Sequence, residues 1–600
     1  MMISTDAGEI KEKSFGRFLL QGFLCLSSSI LACHLWGFKY GIFNNEFHTI
    51  IVDKIAMGIR FPGDAMAASM GNFPSPFWHV VAQCSKIVPA PIVFLTFYIL
   101  AWVLLNVGVS SLIAALTMKK DWILHWVLGS FAILSAGFIM NLPLGWDPVI
   151  MPYLSQTFVS VGLCLLSFSL TLEKHYGWSA AVLGVAFNIN AMQTNFMLGI
   201  LLVIWIFACR AEGRKNFFRF LQYFMIFAIL ASPTLLWIIA VILEPPAGDL
   251  LSRWALYDYA KYYFPFHYFL SVKTPSQIVN GIAIPAIPLL ITVSNKFLGG
   301  NRFRIAGEKE LLIASIMFSG YIIAEIFFSF YFPSRFILGL HFFRSDAIAF
   351  PIVISLLLAI LINNAINDKH LLPIYAAAFV SSLNHYIAVS LAIIFSLATV
   401  KYIKERHPDK FKPVTHSLPY FILSLISILL LISYMGISFV NFKKQHDIDW
   451  KQLDNSIAEI ERVARSVSEI APRDALFVIP PPNHIRSHLH RGVYVSMHDG
   501  GAYLWKKGFE VEFIRRLRVL GISYTPGIYW NRDAVTKEFL ENIHPALLRL
   551  KSEGVTHAIL PSSTIKNFPS SSIFQTDNFI VLDIDNAILA TRPVLYSVPR

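Results

Sequence analysis

The feature that most constrains this chain is a series of apolar blocks about twenty residues long, set apart by short polar or basic segments. A block of that length crosses the ~30 Å hydrocarbon core of a bilayer as one helix. Inside hydrocarbon the backbone must satisfy its own N–H and C=O groups, which leaves helices as the answer for such blocks. Composition points the same way. Hydrophobic residues make up 55% of the 600 and charged residues 14%, against ~25% charged in soluble domains. A disordered chain, a fibrous protein and an ordinary soluble enzyme are excluded.

Read in order, the spans are Leu19–Trp36, Ile92–Leu116, Trp122–Met140 and Leu154–Leu172. The block Ser179–Cys209 is too long for one span and carries Asn188, Asn190, Gln193 and Asn195 in its middle, which predicts a helical hairpin. Phe220–Leu243, Ile278–Leu298, Leu311–Phe332 and Ala347–Ile362 follow. Leu371–Val400 is again overlong, with His385 at a second hairpin tip, and Leu418–Val440 is the last span. The first apolar run lacks a small-x-small exit and reads as a retained span, not a cleaved signal. The expected fold class is therefore an α-helical polytopic membrane protein of about thirteen transmembrane helices, with a C-terminal soluble α/β domain. The domains are 1–440, including a long first outer loop at 37–86, and 441–600.

The net charge of +12 suits a membrane protein whose Lys and Arg flank cytoplasmic span ends, and gives no reason to invoke nucleic acid. With the N-terminus inside, cytoplasmic segments carry 20 Lys and Arg and the outer loops 9. That asymmetry predicts a cytoplasmic (inner) membrane protein with a cytoplasmic N-terminus and residues 441–600 extracytoplasmic. The five cysteines all precede residue 210 and form no CxxC, so the C-terminal segment holds no disulfide and no zinc pattern. There, Asp474–Ile479, Val493–Ser496, His557–Leu560 and Phe579–Ile584 read as strands. Trp450–Ile470, Tyr503–Leu520 and Asp533–Lys551 read as helices, an alternation that predicts a small α/β domain.

Polar residues near the membrane carry the chemistry. The first outer loop reads YGIFNNEFH and then RFPGD. Glu46 and Asp53 are seven apart and share a helix face; with Ile50, Ile51 and Ile55 behind them the segment reads as an interfacial helix. A carboxylate there serves as a general base or a metal ligand. Arg335 and Arg344 sit in a short, otherwise apolar outer loop, against the positive-inside trend. A guanidinium fork matches phosphate, and a phosphate-bearing lipid would explain them. The loop with Asp258, Lys261 and His267 is rich in aromatics, suited to a sugar face or an interfacial belt. Glu325 lies within an apolar span, where carboxylates are rare and often functional.

About a dozen spans, a long first outer loop bearing an acidic residue, paired short helices midway and an outer α/β domain together resemble the GT-C superfamily of membrane glycosyltransferases. The runs YGIFNNEFH, RFPGD and FVIPPPNHIRSHLHRGVYVSMHDGG are similar to those of a bacterial branch of it. The resemblance implies an enzyme that transfers a sugar from a polyprenyl-phosphate-linked donor to a lipid or glycan acceptor on the outer face. Glu46 matches the acidic residue of the first loop, with Asp64 and Asp53 as further catalytic candidates. Arg344, Arg335 and Lys261 would bind the donor phosphate. His48, Asp258, His267, Arg486 and Arg491 would bind substrate. The Asp-x-Asp that many members carry in this loop is missing, which leaves the metal open; a divalent cation is a possible cofactor. The rival readings are a transporter or flippase of lipid-linked saccharides, and a non-enzymatic scaffold of envelope assembly.

Overall fold

The computed structural model describes residues 6–118, 122–134, 144–145, 149–211, 217–246, 249–263, 265–297, 303–364, 372–383, 387–406, 455, 457–480, 485–523, 532–567 and 572–595. The expected last span Leu418–Val440, the boundary near residue 440 and His385 lie outside the described residues.

Helix α1 (Asp6–Trp36) leads into a loop that folds into three helices, α2 (Asn45–Ala56), α3 (Ala65–Ser69) and α4 (Pro76–Cys84). Long apolar helices follow: α5 (Ala90–Leu116), α6 (Trp122–Leu134), α7 (Gln156–Leu172), α8 (Tyr176–Ile189), α9 (Ala191–Ala211) and α10 (Phe217–Leu243). Short helices α11 (Arg253–Tyr263) and α12 (Pro265–Tyr268) precede α13 (Pro275–Phe297) and α14 (Glu308–Tyr331). Then come α15 (Arg335–Leu340), α16 (Asp346–Asn364), α17 (Leu372–Leu383) and α18 (Ile387–Arg406). Among the described residues, six helices are long and apolar enough to cross a membrane, and four shorter apolar ones accompany them. The protein is a polytopic helical membrane protein.

The first hairpin forms as its sequence predicts, but with unequal arms. A single extended residue, Asn190 (φ −147°, ψ 92°), separates α8 from α9. At 14 residues α8 is about 21 Å long. Asn190 donates to Thr157 Oγ1 at 3.0 Å and accepts from the Gln193 N–H, capping α9. Asn188 donates to the Leu230 carbonyl at 2.6 Å and accepts from Thr234, beside Pro233 inside α10. Both side chains join helices, the role polar residues commonly take in a bundle. Close approach is secured by glycine where α5 meets α7. A Cβ on Gly108 would collide with the Gly162 backbone, and one on Gly162 with Leu104.

The C-terminal part holds a helix at 457–470, which we call α19, then β1 (Leu476–Val478), α20 (Arg486–Leu489) and β2 (Gly492–Val493). A 3₁₀ turn at Met497–Leu504 leads to α21 (Phe509–Val519), α22 (Arg532–Ser552), β3 (His557–Pro561), β4 (Ser572–Gln575), β5 (Phe579–Asp583) and α23 (Ile584–Leu595). The sheet order is β2-β1-β3-β5-β4, parallel across β2, β1 and β3 and antiparallel beyond. Alternate strand residues face opposite ways. Leu476 and Val478 join the same continuous core as the helical bundle, whereas Phe477, Ile559 and Val581 form a second, smaller core with Val463 and Val467. The domain is thus fused by its apolar face to one end of the bundle, which we call the capped end.

Candidate functional site at the capped end

Helix α2 carries Glu46 in its first turn and Asp53 in its penultimate one, and the two do share a face. That face is covered by α20, so Glu46 and Asp53 are 0% and 1% exposed. The segment is a buried plank between the bundle and the C-terminal domain, not the interfacial helix its pattern suggests. Its pattern of isoleucines fits either surface, because a domain core and a bilayer both take an apolar side. Gly41, in the YGIFNNEFH run, makes the approach possible: its φ is +74°, and a Cβ there would strike Ser487. Ser487 donates its hydroxyl to the Gly41 carbonyl.

Three carboxylates converge on one arginine, two on its guanidinium and one on its backbone N–H. Arg486 is 1% exposed; it forks onto Asp499 at 2.8 and 2.9 Å and donates Nε to Asp64 at 2.9 Å. Its backbone N–H donates to Glu46 Oε1 at 3.0 Å. Burial alone would lower its pKa, but Asp499, Asp64 and Glu46 outweigh burial and hold it charged. Burial pushes Asp499 up to about 6 although Arg486 pulls the other way. Asp64 also caps α3 by accepting from Ala67 at 2.9 Å and takes the Val493 N–H at 2.9 Å. Asp64 and Arg486 therefore form an interdomain strut in this arrangement. Arg491 is turned to the Pro472 and His490 carbonyls at 2.9 and 3.1 Å, a loop-fastening role.

A few residues on, His490 Nδ1 lies 2.9 Å from Asp53 Oδ2. Burial raises the Asp53 carboxyl while His490 opposes it; the bond to Asp53 outweighs burial at His490 and raises its pKa. His48 stacks flat on Trp78, ring centroids 3.9 Å apart. Burial drives its pKa down to about 3, so it is a neutral shelf.

A second polar cluster lies at the same end, where α12 meets the turn before α16. His267 Nε2 is 3.1 Å from Arg344 Nη2, and the Arg344 carbonyl accepts from Gln193 at 3.0 Å. Tyr268 stacks on His341 at 4.8 Å, its hydroxyl 3.2 Å from His341 Nε2. Burial first, then Arg344, His341 and Lys273, lowers the His267 pKa well below the ordinary range. Lys273 is itself 7% exposed. Asp346 Oδ2 accepts the Leu144 and Gly145 N–H groups at 2.9 and 2.8 Å, and Glu325, fully buried, accepts from Ser329 at 2.5 Å. Arg344 and Lys273 thus stand among two histidines and the carboxylates of Asp346 and Glu325, and they are the groups of this cluster whose donors suit a phosphate.

The 3₁₀ turn Met497–Leu504 joins the clusters. Near its start Asp499 grips Arg486; near its end the Tyr503 hydroxyl is 2.5 Å from that of Tyr268. Arg335 is drawn to the C-terminal domain, donating to the Tyr503 carbonyl at 2.9 Å and to Glu510 at 3.1 Å. Lys261 and Asp258 stand exposed on α11, whose other face holds Tyr259 against the Gly500 carbonyl at 2.6 Å. Of the sequence candidates, Glu46, Asp53, Asp64 and Arg486 come together, and Arg344 meets His267; Lys261 and Asp258 join neither cluster. Sequence reading passed over Lys273, His341, Tyr268, Asp499 and Tyr503. Lys273 in a loop of the less basic face was the one available signal, the same that marked Arg344. Among the described residues no group of three or more His, Cys, Asp or Glu converges as a metal site.

No family model matches the sequence, and no curated protein matches it. Among solved structures the chain is similar to the crystal structure of ArnT from Cupriavidus metallidurans bound to undecaprenyl phosphate. The two share 13% identity with a TM-score of 0.41, over 95% of this chain and 98% of that one.

Proposed function

We propose that this protein is a membrane glycosyltransferase that moves a sugar from a polyprenyl-phosphate-linked donor to a lipid or glycan acceptor at the capped end. The observation that carries the reading is the pairing of clusters there: first-loop carboxylates on one side, Arg344, Lys273, His267 and His341 on the other, bridged by Met497–Leu504. Glycosyl transfer from a lipid phosphate needs both. Fixed donors and cations stabilise the charge that gathers on the departing phosphate. Negative charge beside the acceptor favours loss of its hydroxyl proton. Of the candidates, Arg344 is assigned to the phosphate, with Lys273 beside it, while Arg335 and Arg486 hold the cap on. The 20-to-9 division of Lys and Arg supports a capped end on the outer face, reached laterally by a lipid-linked donor.

The test is transfer by the purified full-length protein in nanodiscs, offered a panel of polyprenyl-phosphate sugars and read as release of polyprenyl phosphate. Release that depends on Arg344 supports the reading. Flip of the donor across the bilayer with no release would replace the transferase by a flippase.

A further inference from the structure

The carboxylate nearest to solvent chemistry is not the one the sequence singles out. Glu46 is sealed, its Oε1 taken by the Arg486 N–H. Asp53 is equally buried but ends in a different partner: the imidazole of His490, whose side chain is 32% exposed. With Nδ1–H donating to Asp53 Oδ2 at 2.9 Å, a neutral His490 keeps a lone pair on Nε2 in a side chain that is one-third exposed. A buried carboxylate behind a histidine fixes its tautomer and stabilises the imidazolium that forms when it takes a proton.

We propose that His490 is the proton acceptor of the transfer reaction, with Asp53 as its positioning residue. This rests on the transferase reading above and names the atom that reading leaves open. The His490 Nε2 lone pair takes the proton of the acceptor hydroxyl. The acceptor oxygen forms the new bond to the anomeric carbon. The bond from that carbon to the lipid phosphate breaks, and its electron pair leaves on the phosphate oxygen. The proton on His490 then passes to water.

Among the described residues, the titratable groups beside the pair include Arg491, His488, Tyr40 and Glu46. Arg491 points to the backbone of Ala471 and Pro472. His488 lies 3.9 Å from Glu461 and edge-on to Tyr40, centroids 6.3 Å apart. Tyr40 and Glu46 belong to the first loop beneath it, and burial and Asp53 keep the Tyr40 hydroxyl protonated. His490 also ends α20 as its left-handed C-cap (φ 49°), which fixes where its ring leaves the helix.

Two measurements on the full-length protein in nanodiscs decide the matter. The first needs no substrate: modification of His490 by diethylpyrocarbonate, followed by mass spectrometry across pH. His490 is expected to react with an apparent pKa above the ordinary histidine value, falling in Asp53→Asn. A His490 that resists the reagent, or titrates identically in Asp53→Asn, overturns the proposal. The second is sugar transfer. His490→Gln is expected to lose ~10²–10⁴-fold in turnover with donor KM unchanged, and Asp53→Asn to move the acid limb of the pH profile to lower pH. If His490→Gln keeps wild-type turnover, the dyad falls and the transferase reading stands. If wild type transfers from no polyprenyl-phosphate sugar, the transferase reading falls and takes the dyad's role with it.

Discussion

Among the described residues, Arg486→Met removes the one guanidinium that bonds both Asp64 and Asp499, and leaves those two carboxylates 2% exposed without it. Breaking a buried ion pair from one side costs about 3–5 kcal/mol, because the orphaned charge stays buried. At 1.4 kcal/mol per decade that is about two to three and a half orders of magnitude in the ratio of docked to undocked cap. The expected signature is pH-dependent. Asp499 already sits at about 6 in the folded protein, above its unfolded value of ~3.9, and losing Arg486 raises it further. A raised acid contributes stability when protonated and loses it as pH climbs through the folded pKa. The deficit of Arg486→Met should therefore be largest at pH 8 and shrink toward pH 5. Limited proteolysis of the full-length protein in nanodiscs, timed at a series of pH values, reads cap release directly. A variant that resists protease like wild type at pH 8, or whose deficit grows toward pH 5, would refute the argument.

Four further outcomes follow from the geometry. Glu46→Gln keeps an oxygen for the Arg486 N–H, so thermal stability should hold while turnover drops by less than the ~10²–10⁴ of a lost base; an unchanged turnover removes Glu46 from the reaction. Arg344→Ala should lower kcat/KM for the lipid donor by about 10- to 100-fold, the worth of a hydrogen bond to a charged group, and equal kcat/KM would reassign the phosphate. Tyr503→Phe removes the hydroxyl that meets Tyr268 and should destabilise docking by about 1 kcal/mol, seen as faster proteolysis of the cap. Gly108→Ala should cost about 1–3 kcal/mol by overpacking α5 against α7; an unchanged thermal midpoint would mean the two helices separate freely.

The architecture was legible because hydrocarbon imposes one rule along the whole chain. Among the described residues, span positions follow from block length, the hairpin at Asn188–Asn190 follows from an overlong block with a polar middle, and β1, β3 and β5 stand out as apolar runs between loops. The finer errors have physical causes. Tyr503–Leu520 reads as one helix, but Gly508 takes φ +82° and splits it into the 3₁₀ turn and α21. β4 is only four residues long, with the adjacent apolar pair Ile573 and Phe574 between Ser572 and Gln575, so no alternation announces it. At the site, residue type marked Glu46, Asp64 and Arg486 as special without revealing that they meet across 422 to 440 residues of chain. Whether an acidic group is a base or a strut depends on its partner, and the partner is set by tertiary contact. The same holds for Arg335 and Arg344: one sequence environment, but Glu510 claims the first and His267 attends the second.

The hub at Arg486 also sets an order of assembly. Glu46 and Asp64 are made 440 and 422 residues ahead of the arginine that completes them. At ~5–20 residues per second that is a wait of about 20 to 90 s. During that interval the first loop cannot bury its acids, since an unpaired buried carboxylate is costly, so it must stay hydrated while the helices behind it insert. The last quarter of the chain then closes the loop and dries it. A chain truncated before residue 486 would lack the arginine that holds Glu46 and Asp64, and its first loop would stay open and water-filled, the form in which quality-control proteases would meet an unfinished molecule.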